Sequence, residues 1–140
     1  KIIGWLIPIA IIASIVAVGY RTGVEKAGEL SLQWAMLTGG GAMLGTIIAG
    51  GHPVTILVAL VAAPFTGLTP LIGVGFLTAL TQVYMRPPRV AEMETLTDDI
   101  WQVRRLWKNR VTRVILCFLC PGIPAIVGKI LAILNIYQAL

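Results

Sequence analysis

Apolar and polar positions fall into long blocks along this chain rather than alternating. From Ile2 to Tyr20 there is no charged residue, and from Leu30 to Met85 there is none. Uncharged apolar stretches beyond about 18 residues have the length and character of membrane spans. Punctuation divides the chain into five apolar segments, at about 2–20, 31–51, 53–66, 71–85 and 111–136. The third and fourth fall short of the roughly 17–25 residues of a full span, so a thin region or a partly re-entrant pair stands beside full crossing. The polar connector RTGVEKAGEL follows the first segment, and Ser31 after it reads as an N-cap. His52-Pro53 separates the second and third segments. Proline suits the first turn of a helix, which puts Pro53 at the start of the third segment and His52 at its N-cap edge. Pro64 and the turn TGLTP close that segment.

The stretch 86–110 is polar. Arg86-Pro87-Pro88 ends the fourth segment, and Thr97 followed by Asp98 and Asp99 predicts a capped helix start. Leu96, Ile100, Val103 and Trp107 recur at helical spacing, which predicts an amphipathic helix lying on a membrane surface or against another helix end. In the last segment CPGIP supplies Pro121 and Pro124, and a bend is expected there. Lys129 then falls near the far surface and can snorkel outward. The pattern therefore predicts an all-α, polytopic integral membrane domain over 1–140, with about five spans, short or broken helices and one amphipathic interfacial helix.

Composition and charge sharpen this. The chain is 57% hydrophobic and 12% charged, with a net charge of +5. The basic residues Arg86, Arg89, Arg104, Arg105, Lys108, Arg110 and Arg113 concentrate in one polar stretch. The positive-inside rule places that stretch in the cytoplasm, with Lys1 on the same side and the C-terminus outside. Orientation rather than nucleic-acid binding accounts for these charges. The chain opens on Lys1 and the first apolar run lacks a small-x-small cleavage site, so it reads as a true span, cut from a longer parent.

Candidate chemistry is sparse. All six acids (Glu25, Glu29, Glu92, Glu94, Asp98 and Asp99) lie in connectors. Proton-coupled transport and acid/base or metal-assisted hydrolysis need carboxylates or histidines where the chemistry occurs. No catalytic residue, metal site or cofactor is therefore expected in this chain. Cys117-x-x-Cys120 sits inside an apolar run and reads as packing rather than as a redox or zinc motif. Small residues are the stronger signal: Gly41, Gly45 and Ala49 are four apart, as are Thr55, Ala59, Ala63 and Gly67. Such stripes let helix backbones approach closely in lipid. They predict that the second and third segments pack on each other or across a dimer axis, with the lipid bilayer and a second copy as partners. His52, the sole histidine, has two readings. It caps a turn with no chemistry, or it faces a cavity with Thr46, Thr55, Thr81 or Gln82, as a peptide- or solute-conducting unit would need.

The stretch LQWAMLTGGGAMLGTIIAGGHPVTILVALVAAPFTGLTPLIGVG, with RPPRVAEMETLTDD and WKNRVTRVIL after it, resembles the membrane region of the TraB/PrgY family, the pheromone-shutdown proteins of bacteria and archaea. The resemblance covers about Gly4 to Leu116. It is carried jointly by the Gly-His-Pro, the Ala-Ala-Pro with its following Thr-x-Leu-x-Pro, the Arg-Pro-Pro-x-Val and the Asn-Arg-Val-Thr-Arg. It implies a multi-pass domain in the cell membrane, preceded in the parent by a soluble domain similar to the TIKI and GumN proteins, for which metal-dependent peptidase activity is proposed. That domain's Gly-x-x-His motifs and glutamates have no counterpart here, and His52 does not match them. The implied role, limiting the activity of a secreted peptide pheromone, attaches to the parent. The implied work of this chain is to anchor and oligomerise that domain. After Leu116 the chain departs from the pattern, with Pro121, Pro124 and Lys129.

Overall fold

The computed structural model of the protein describes residues 3–69, 72–99 and 101–139. Lys1, Ile2, Pro70, Leu71 and Ile100, on which parts of the sequence reading fall, lie outside the described residues. The described residues form an all-helical fold: α1 (Ile3–Thr22), α2 (Val24–Ile48), α3 (Pro53–Gly67), α4 (Val74–Met85), α5 (Val90–Glu94), α6 (Leu96–Asp99), α7 (Val103–Leu106), α8 (Arg110–Leu119) and α9 (Gly122–Ala139).

The expected connector between the first two segments is helical. α2 begins at Val24, and the Ser31 hydroxyl donates to the Gly28 carbonyl at 2.8 Å within the helix instead of capping one. Glu25, Lys26, Ala27 and Glu29 are good helix formers, and Leu30 with Trp34 continues a buried stripe through them. The real break is Gly23, at φ 102 in the left-handed region that favours glycine. At 25 residues α2 is about 37 Å long. It is the central element, packing on α9 and α3 most extensively and on α1 beside them, while α4 bridges α3 and α8.

The core is small-residue where α2, α3, α4 and α9 meet and large-residue where α1 packs on α2 and α9. Ala42, Ala59, Ala63, Val74 and Ala125 form one cluster; Ile11, Trp34 and Ala132 form another, and Val18, Leu30 and Ile136 a third. Large apolar side chains point the other way, with Leu57, Val61, Phe65 and Ile123 all at least 60% exposed.

The Gly41–Gly45 stripe has a partner the sequence did not predict. It faces α9 and the residues just before it rather than α3 or a dimer axis. A methyl on Gly45 would overlap the Cys120 carbonyl and Pro121 Cα, and one on Gly41 would overlap the Pro124 carbonyl. The glycine that meets α3 is Gly39, packed on the Leu60 carbonyl.

The last segment is two helices. Pro121 has no N–H to continue α8, and α9 restarts with Ala125 N–H donating to the Pro121 carbonyl at 3.2 Å. Pro124 falls in the first turn of α9, where its missing N–H is harmless, so the break is at Pro121 alone. Pro64 lies inside α3, which continues through it.

The amphipathic helix expected from Thr97 onward does not form as one piece. α5, α6 and α7 are single turns, and Thr97 lies inside α6 rather than at its cap. Two long-range bonds fold the stretch back. Trp107 Nε1 donates to the Ile48 carbonyl at 2.7 Å, and Asn109 Nδ2 donates to the Glu92 carbonyl at 2.8 Å. Among the described residues two helical stretches are long and apolar enough to cross a membrane, Trp5–Thr22 and Arg110–Gln138 counted across the break. α3 and α4 are apolar but shorter.

Candidate functional site

The turn holding His52 is specified locally. Gly50 sits at φ 70, its N–H donates to the Ile47 carbonyl at 2.9 Å, and Gly51 N–H donates to the Thr46 carbonyl at 3.0 Å. This pair of bonds around a left-handed glycine is the Schellman ending of a helix. His52 then adopts an extended conformation, and its Nδ1 accepts from Val54 N–H at 3.3 Å as the N-cap of α3, with Pro53 next. Both glycines are also needed for space: Gly50 lies against the Trp107 ring, and Gly51 against Thr46 and Cys117.

Gln82 of α4 closes the turn from the side. Its Oε1 accepts from the His52 backbone N–H at 2.8 Å and from the Thr55 hydroxyl at 3.0 Å. Gln82 and Thr55 are fully buried, whereas His52 is half-buried. The other polar groups offered for a His52 cavity are satisfied within their own helices, Thr46 on the Ala42 carbonyl and Thr81 on the Leu77 carbonyl. Replacing Gln82 by leucine leaves the buried Thr55 hydroxyl and the half-buried His52 N–H without their acceptor and is expected to cost about 2 kcal/mol. Thermal unfolding in detergent micelles checks this, and His52→Ala, which removes only the cap bond, is expected to cost less.

The proline break creates a second polar junction. In an uninterrupted helix the N–H at position 121 would bond the Cys117 carbonyl; Pro121 leaves that acceptor free. The Thr78 hydroxyl of α4 fills the gap, donating to the Cys117 carbonyl at 2.6 Å, with Thr78 and Cys117 both fully buried. Gly75, one turn earlier on α4, lies directly on the Phe118 carbonyl, the next acceptor along. Two acceptors at the break are thus covered by one hydroxyl and one glycine, while Gly45 closes on it from α2.

The sequence-derived stripe residues divide between these surfaces. Thr55, Ala59 and Ala63 are buried along α3, Ala49 is buried at the end of α2, and Gly67 sits beside Lys129 and Trp34. Of the basic residues, Arg86, Arg89, Arg104, Arg105 and Lys108 are exposed. Arg110 pairs with Glu92 at 3.6 Å, and Arg113 donates to the Trp107 carbonyl. Thr78 was not singled out from the sequence, Trp107 only as a position of the amphipathic stripe, and Asn109 only within the Asn-Arg-Val-Thr-Arg motif. Asn109 was detectable in principle, as an N-cap before an apolar run; its Oδ1 accepts from Val111 N–H at 2.9 Å. Among the described residues no cluster of three or more His, Cys, Asp or Glu could hold a metal, and Cys117 and Cys120 are free thiols.

Fold and junctions together define an all-α domain of closely approaching, glycine-lined helices with a large-residue apolar exterior. The C-terminal domain of the TraB family matches residues 1–140, and the chain belongs to that family. It is similar to an uncharacterized protein of Methanocaldococcus jannaschii, 30% identical over 106 residues, which are 74% of this chain. The match spans 26% of that relative's length. No solved structure matches the chain.

Proposed function

We propose that this domain is a multi-pass unit of the cell membrane that anchors the remainder of a TraB-type protein and assembles it into oligomers. The observation that carries the reading is the placement of side-chain size. Around α3 and the α8–α9 break the interior is mostly alanine, glycine and threonine, while Leu57, Val61, Phe65 and Ile123 lie at 61%, 60%, 68% and 69% exposure. In water each such side chain forfeits about 1.5–3 kcal/mol of burial; in lipid it forfeits almost nothing, and close backbone contact becomes the main source of helix association. α1, α2, α3, α4 and the α8–α9 pair make five crossings, with the basic stretch 86–113 on the cytoplasmic face. α3 and α4, at 15 and 12 residues, cross by local thinning of the bilayer. By the family resemblance, limiting a peptide pheromone belongs to the parent protein, and this chain supplies location and assembly rather than catalysis.

The test is membrane fractionation followed by labelling. The chain is expected to stay with membranes through an alkaline carbonate wash. In a Cys117→Ala, Cys120→Ala background, Thr69→Cys is expected to label from outside intact cells and Glu94→Cys to remain unlabelled. Release into the carbonate supernatant would end the membrane reading. External labelling at position 94 would overturn the topology.

A further inference from the structure

A cleft of about 650 Å³ runs between α3, α4 and the α8–α9 pair, toward the end of α3 opposite His52. Ala63, Val74, Phe76, Phe118 and Ile126 line it, and Lys129 is its one charged residue. From Phe118 to Lys129 the cleft follows eleven residue steps, roughly 16 Å of helix. It is open along its side, since Phe76, Phe118 and Ile126 are each about half exposed. Lys129 is the only charged residue of α9, and α3 and α4 carry none. Among the described residues no hydrogen bond or ion pair engages its ammonium group; α3, α4, α8 and α9 carry no acid, and the two acids of α2, Glu25 and Glu29, are exposed near its start. Gly67 makes room for it: Lys129 Nζ stands 3.3 Å from where a side chain at 67 would begin.

A half-buried cation at the end of an apolar channel calls for a counter-anion that carries its own apolar chain. We propose that the cleft seats an anionic phospholipid, with one acyl chain along Phe118 and Ile126 and the phosphate on Lys129. The proposal rests on the membrane reading above. That reading puts Lys129 toward the leaflet opposite the basic stretch, so the bound lipid belongs to that leaflet. The volume is within the roughly 300–1,000 Å³ of small-molecule sites, enough for a chain but not for a second helix. Lateral opening lets the chain enter from the bilayer without passing through water.

The experiment uses phosphatidylglycerol and phosphatidylcholine carrying a photoactivatable group in the acyl chain, incorporated into bilayers with the whole protein. Cross-links are mapped by peptide. Phosphatidylglycerol is expected to label the Phe118–Ile126 peptide about threefold more than phosphatidylcholine, as one ion pair near the surface would give. Lys129→Met is expected to abolish that preference while leaving fold and labelling by phosphatidylcholine intact. Gly122→Leu is expected to remove labelling by both lipids. Gly122 lines the cleft and a Cβ there meets nothing within 4 Å, so the larger side chain fills the channel without disturbing the helices. Equal labelling by the two lipids in the wild type would overturn the proposal. So would a preference that survives Lys129→Met, which would assign it to the basic stretch 86–113. Absence of labelling in the wild type with the chain still in the carbonate pellet defeats this proposal alone, whereas release from the pellet defeats the membrane reading and the lipid site with it.

Discussion

Thr78→Val is expected to destabilise the protein by about 2 kcal/mol, and Pro121→Ala is expected to abolish most of that cost. Valine matches threonine in shape but cannot donate, so the buried Cys117 carbonyl loses its partner and bears its full desolvation penalty. Alanine at 121 restores a backbone N–H at the position from which a helix bonds that carbonyl. With the carbonyl satisfied from within its own helix, the hydroxyl of Thr78 becomes dispensable. The measurement is a double-mutant cycle on thermal or denaturant unfolding in detergent micelles, and the coupling between the two sites is the readout. A Thr78→Val cost that is the same with proline or alanine at 121 would show that the threonine is not serving the break.

The second large effect is a reversal of sign among neighbouring glycines. Gly40→Ala should stabilise the protein by about 0.5–1 kcal/mol, because alanine is the better helix former and a Cβ at 40 meets nothing within 4 Å. Gly41→Ala and Gly45→Ala should each destabilise by at least about 2 kcal/mol, because the added methyl meets backbone atoms of α9 or of the break, which cannot rotate away. Gly75→Ala, directed at the Phe118 carbonyl, should cost the most, upward of about 3 kcal/mol. Unfolding midpoints of the four variants, measured side by side, check the order. A Gly75→Ala protein as stable as wild type would rule out the close approach of α4 and α8.

These two sites show how far the sequence could be read. Spacing by four puts Gly41 and Gly45 on one helix face, so the existence of a smooth surface was legible. Its partner was not, because any backbone can fill a smooth groove, and only the tertiary arrangement selects the stretch around Pro121. The bend near CPGIP followed from proline chemistry, but two prolines gave no means of choosing between them. Pro124 is silent because helix restart at Gly122 puts it in a first turn. The cap at His52 was legible because proline at the next position fixes where a helix can begin. The meeting of His52 with Thr55 and Gln82 was one of its two readings; what the sequence did not tell is that Gln82 takes the backbone N–H of His52 rather than its ring, and that Thr46 and Thr81 bond within their own helices. Two misreadings have local causes. The charged residues after Gly23 suggested a loop although they favour helix, and a true periodicity from Leu96 to Trp107 was outweighed by the bonds of Trp107 and Asn109 to distant carbonyls.

The proline break has a consequence for synthesis. A chain is made from its N-terminus, so Gly45 of α2 and Thr78 of α4 exist before Pro121 leaves the ribosome. The exposed carbonyl therefore emerges toward a partner already made, and its time without one is short. A circular permutant that began at α8 would reverse the order of birth. Its broken helix would wait, unsatisfied, for the threonine that completes it.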